Sequence, residues 1–131
     1  MRSASTDLDN RAPVWLALSE LFLDTTVSDH YDAIARCCAH SPYSLNELAF
    51  ILHYEVAPVL WRNLLSPAGH WSGFDEQWLI SAVKAHVLSA RTPLRRALLY
   101  LYSLCYRRYL HHHWQALVPR IKHWRQVQGN A

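Results

Sequence analysis

Apolar residues recur at steps of three and four along most of this 131-residue chain, which is the period of an α-helix. Asn10 is placed to cap a first helix, with Pro13 in its first turn, where a missing N–H costs nothing. Val14, Leu18, Leu21 and Phe22, with Trp15 beside them, make its apolar face, and Asp24-Thr25-Thr26 interrupts it. Ser28 caps a second helix, with Asp29 and Asp32 in its first turn, where acids suit the dipole. Tyr31, Ile34, Ala35 and Cys38 form its inner face and Ser41-Pro42 ends it. Ser44-Leu45-Asn46-Glu47 is a capping box, the sharpest local signal in the chain. It opens a third helix with Leu45, Leu48, Ile51, Leu52 and Val56 inward, which Pro58 stops or bends. Phe74-Asp75-Glu76 opens a fourth, along which Trp78, Leu79, Ala82, Val83 and Val87 keep helical spacing. Thr92-Pro93 opens a fifth. There Leu94, Leu98, Leu101, Leu104 and Cys105 lie on one side, and Leu99, Tyr102, Tyr106 and Tyr109 on a neighbouring side. A helix apolar nearly all round belongs in a core or in an interface. Pro119 is expected to break the pattern, leaving a short last helix over residues 121–127. No run alternates with period 2 and no Asn-Gly or Asp-Gly hairpin signal occurs, so the pattern predicts an all-α bundle of five to six helices.

The segment between the third and fourth helices does not fit a regular element. Glu55–Leu79 is apolar, yet Pro58, Pro67, Gly69 and Gly73 punctuate it, and three of the six Trp fall in it. A long apolar linker of this kind is expected to pack down on its own aromatic side chains. Its anchors would be Glu55, Trp61, Asn63, Trp71, Asp75 and Trp78. Glu55 and Asn63 would satisfy backbone groups that lose their helical partners there. The three Trp are expected in the core, and one left exposed would become a hot-spot candidate. The whole reads as a single domain over residues 1–131, with a polar tail at 1–10 and basic helices at 92–131.

Charge changes this picture more than composition does. Residues 1–60 carry three Lys/Arg against eight Asp/Glu, a net −5, and residues 61–131 carry ten against two, a net +8. Two halves of opposite sign either attract within one fold or offer partners two faces. Three cysteines, two of them adjacent, make no disulfide framework and point to a reducing compartment. The first ten residues are too polar and acidic for a signal peptide, and no apolar run approaches the ~20 residues of a membrane span. The expected location is the cytoplasm.

RAPVWLALSELFLDT (Arg11–Thr25), YSLNEL (Tyr43–Leu48) and EVAPVLWRNLLSPAGHWSGFDEQWL (Glu55–Leu79) together resemble a family of small bacterial helical domains of unknown function. The resemblance covers residues 11–90 and leaves the tail from Thr92 outside. It implies no activity. By type, small bacterial domains of this size are often inhibitors or partners of a neighbouring gene's product, immunity proteins among them.

Candidate chemistry is thin. His111, His112 and His113 are consecutive, so on a helix they point about 100° apart and cannot share one ion. No His-x-x-x-His occurs and Cys37-Cys38 lacks the spacer of a zinc motif, so no metal and no other cofactor is expected. Ser66-Pro67-Ala68-Gly69-His70 reads as a turn, and Cys37, Cys38 and Cys105 fall on apolar faces where thiols are inert. Acids such as Glu47 and Glu55, or Asp75 and Glu76, serve helix starts better than acid–base chemistry, and no phosphate-binding Gly loop is present. The expected function is therefore non-catalytic binding of another protein, such as a toxin or effector. An acidic face would carry Glu20, Asp24, Asp29 and Asp32, and a basic one Arg95, Arg96, Arg107, Arg108, Arg120, Lys122 and Arg125. The alternative is nucleic-acid binding, since those cations are interleaved with Tyr102, Tyr106, Tyr109, Trp114 and Trp124. A small enzyme or metal protein ranks third, and a homodimer through the Tyr-rich helix is compatible with the first reading.

Overall fold

The computed structural model describes residues 6–22, 30–60, 76–89 and 92–129, apart from the side chains of Ser89, Arg95, Leu99, Tyr102 and Cys105. Among the described residues five helices follow in order. They are α1 (Leu8–Ser19), ending in a 3-10 turn (Glu20–Phe22), α2 (Tyr31–His40), α3 starting at Leu45–Phe50, α4 (Glu76–Ser89) and α5 (Pro93–Gly129). No strand occurs among the described residues, so the fold is all-α. Residues 61–75 of the Trp-rich linker, with Trp61, Asn63, Trp71 and Asp75, lie outside the described residues, as do Asp24, Asp29 and the caps expected at Ser28 and Phe74.

The core follows the predicted faces. Val14, Trp15, Leu18, Leu21 and Phe22 of α1, and Tyr31, Ile34, Ala35 and Cys38 of α2, are all buried. So are Leu48, Ile51, Leu52 and Val56 of α3, Leu79 and Val83 of α4, and Tyr106, Leu110, Leu117 and Ile121 of α5. The most extensive packing joins α2 to α5.

Three boundaries differ from the sequence reading. α1 starts earlier, at Leu8: Asp7 is the N-cap residue, its carbonyl accepts from Asn10 and Arg11 N–H, and Asn10 Nδ2 donates to Asp7 Oδ1 at 2.8 Å. Pro13 thus stands inside the helix rather than in its first turn. α3 opens on its capping box as expected, with Ser44 Oγ accepting from Glu47 N–H and Glu47 Oε1 from Ser44 N–H. Pro58 does not end it. The helix widens into a π stretch (Ile51–Val56) and then runs one more turn over residues 57–60. The widening explains the tolerance: Pro58 removes the donor that would serve His53 O in the π register and Tyr54 O in the α register. Those two carbonyls instead accept from Tyr106 Oη at 2.9 Å and His86 Nε2 at 3.2 Å. Finally, Pro119 does not break α5, which continues to Gly129. Leu110, Leu117 and Ile121 keep one buried face in register across the proline, and that burial outweighs a local cost of about 3 kcal/mol.

Candidate functional site

Two places gather chemistry. The first is a buried polar cluster between α1 and α3. Arg11 is 1% exposed and Glu55 4%, and Arg11 Nη1 sits 3.3 Å from Glu55 Oε2. The other Glu55 oxygen accepts from Trp15 Nε1 at 2.9 Å. The Arg11 guanidinium also lies over the Tyr43 ring, 5.3 Å from its centroid, and Tyr43 Oη donates to Asp7. Burial raises the Glu55 carboxyl above its ordinary range despite the opposing pull of Trp15 and Arg11. Burial, then the bond to Asp7, also pushes up the Tyr43 hydroxyl. Arg11, Glu55, Asp7 and Tyr43 are all buried among α1, α3 and the segment between α2 and α3, so the cluster locks these helices in register. Glu55 therefore holds α1 through side chains, where the sequence suggested service to orphaned backbone groups.

The second place is the outward surface of α5. At 100° per residue, the described buried positions Ser103, Tyr106, Leu110, His113, Leu117 and Ile121 share one side. Leu94, Leu98, Leu101 and Leu104 lie roughly 160° round the helix from it, and each is half or more exposed, up to 72% at Leu94. The Leu side is therefore the outside of the helix, and the Tyr side carrying Tyr106 and Tyr109 is the inside. Tyr106 reaches His53 O, and Tyr109 Oη donates to Leu21 O while its ring meets Phe22. One turn beyond Leu104 the same outward surface becomes cationic. Leu104, Arg107, Arg108, His111, His112 and Gln115, with His53 of α3, line an open groove of about 650 Å³. Burial holds the His53 imidazole below its ordinary range, and the charges of Arg107 and His111 lower it further, against the pull of its bond to Ala49 O.

Residues 9–120 match the family described as Domain of unknown function (DUF7079). The chain belongs to that family. The match runs past Thr92 to residue 120, so most of α5 is part of the family domain and not a tail appended to it. No curated protein and no solved structure matched the chain.

The predicted basic residues divide. Arg107 and Arg108 are exposed in the groove, and Arg96 and Lys122 are exposed elsewhere on α5. Arg95 is on the same helix, but its side chain is outside the described set. Arg120 is used within the fold, donating to Ala116 O at 2.7 Å and covering the Tyr31 ring. Arg125 is half-buried, and its guanidinium donates to Cys38 O, Ala39 O and Tyr43 O. Cys38 and Ala39 lie in the last turn of α2, where carbonyls lose their i+4 donors, and Tyr43 lies in the segment before α3, so Arg125 ties both to α5. Of the acidic face, Glu20 lies 3.7 Å from His30, and Asp32 accepts from Trp124 Nε1 at 3.1 Å. Trp78, expected in the core, is 47% exposed and becomes the hot-spot candidate.

Among the described residues no three His, Cys, Asp or Glu side chains converge as metal ligands, and no helix is long and apolar enough to cross a membrane. Cys37 and Cys38 are free thiols, and burial pushes Cys38 up to about 12. Sequence reasoning missed Arg11, Asp7 and Tyr43 of the buried cluster. Arg11 carried a signal all the same, a single cation among apolar positions in the first helix.

Proposed function

We propose that this protein is a non-catalytic protein-binding module whose docking surface is the outward face of α5. One observation carries the reading: four leucines, Leu94, Leu98, Leu101 and Leu104, recur at helical spacing on the side of α5 turned away from its own core. Contiguous exposed apolar surface of this kind marks a place where another macromolecule sits. The concrete form of the proposal is an immunity- or inhibitor-type partner of a neighbouring bacterial gene's product, acting in the cytoplasm. Rim cations would speed encounter and the leucines would hold the complex.

The test is a titration of the full chain against the product of the adjacent gene, followed by calorimetry. Binding is expected, and the double variant Leu98→Glu/Leu101→Glu is expected to abolish it. Absence of a complex, or one indifferent to both leucines, defeats the reading. Nucleic acid is the weaker alternative, because Tyr106 and Tyr109 are spent on internal bonds and Trp124 donates to Asp32, which leaves few rings to stack on bases.

A further inference from the structure

We infer that the occupant of the α5 surface is an acidic amphipathic helix, its apolar side on Leu94–Leu104 and a cluster of carboxylates in the groove formed by Arg107, Arg108, His111 and His112. This rests on the docking surface just proposed and adds the chemistry of what docks there.

Shape is the first argument. The four leucines span roughly 120° of the helix circumference and about 15 Å of its length, the footprint of one helix seam. Arg96, Ala97 and Tyr100 beside them are exposed as well, so the first three turns of α5 form a ridge, and ridges pack into the grooves of another helix. Continuity is the second. Leu104 belongs to the apolar stripe and also lines the cationic groove, so the two surfaces form one strip and a single segment meets both.

Charge is the third and decides the occupant. α5 holds seven Lys/Arg and no Asp or Glu in 37 residues. Among the described residues Arg107 and Arg108 pair with no carboxylate, and both are exposed in the groove. A second copy fits poorly. Laid antiparallel about Leu101, each copy sets Arg107 and Arg108 against the first turn of the other and the positive end of its dipole. Laid parallel, the arginines face themselves. A duplex would satisfy the cations and leave the leucines in water.

The experiment uses the full chain and three fluorescein-labelled designed 18-residue helices. All carry leucines at α-helical spacing, followed by three Glu, three Gln or three Lys. At low salt the Glu peptide is expected to bind at least about fivefold tighter than the Gln peptide, and the Lys peptide weakest. Arg107→Glu/Arg108→Glu is expected to invert that order, and this inversion separates a charge contact from damage to the fold. Both variants should keep the parent's circular dichroism and urea midpoint, because the altered side chains are exposed. Equal binding of the Glu and Gln peptides overturns the inference, while loss of binding in Leu98→Glu/Leu101→Glu would still leave the docking surface standing. Tighter binding of a 20-base-pair DNA than of the Glu peptide also overturns it. So does a dimer in sedimentation that Leu98→Glu dissociates.

Discussion

Glu55 is the residue on which the most opposing forces meet. It is buried, it faces a buried Arg11 and it accepts an indole N–H, yet its carboxyl is held above its ordinary range because desolvation is the largest effect. A raised carboxyl makes the native state hold its proton more tightly than the unfolded chain does. The Glu55 contribution is therefore fully present below the ordinary carboxylate pKa and declines as pH rises through the native value. Glu55→Ala strands the guanidinium against a cavity, and we expect a loss of about 3–5 kcal/mol in urea unfolding, with Arg11→Met/Glu55→Leu recovering most of it. His113 works in the opposite sense. It is buried with its Nδ1 2.5 Å from Tyr31 Oη and its ring against Tyr109, and burial, then His112, lowers its imidazole. The unfolded chain then binds the proton first. The stability of the parent relative to His113→Gln should be greatest above the ordinary histidine pKa of about 6.5 and shrink as pH falls below it. Urea midpoints from pH 5 to 8 read this directly, and a difference independent of pH would contradict it.

At the scale of elements, prolines fail as stop signals twice, each time for a tertiary reason. Pro58 is accommodated by a π stretch whose two affected carbonyls are served from α4 and α5. Tyr106→Phe removes one of those donors, leaves His53 O short of a partner at a part-buried position, and should cost about 0.5–1.5 kcal/mol in the same unfolding measurement. Pro119 is carried by the unbroken buried register of α5 against α2. The capping box at Ser44 shows the contrasting case: all its partners lie within three residues, so it was fully legible in the sequence. Arg125 was not legible, because the carbonyls it serves arrive from 82 to 87 residues away.

For the molecule as a whole, the two-signed charge distribution becomes specific on α5. Its cations are partly engaged by the chain's own groups, at Arg120 and Arg125, and partly left outward at Arg107 and Arg108. Exposed leucines contribute little to folding, so Leu98→Glu/Leu101→Glu should change global stability by no more than about 0.5 kcal/mol. A larger fall in the urea midpoint would mean that these leucines belong to the core. Half of the candidate site was thus readable in advance. The leucine row and the arginine pairs stood out in the sequence, but not which of them the fold would use up.

What the sequence by itself determined is local. The helical period, the inward faces of α1 to α3, the capping box and the absence of strand signals depend on residues a few positions apart, and short-range sterics and hydrogen bonding read them directly. What only the tertiary structure decided is direction. A helix with apolar residues on nearly every side can bury any one of them. The choice fell to its tyrosine side because α2 packs there and because Leu21 O and His53 O wait there for hydroxyl donors. The leucines were left facing water by the same choice, since burying one side of a helix turns the opposite side outward.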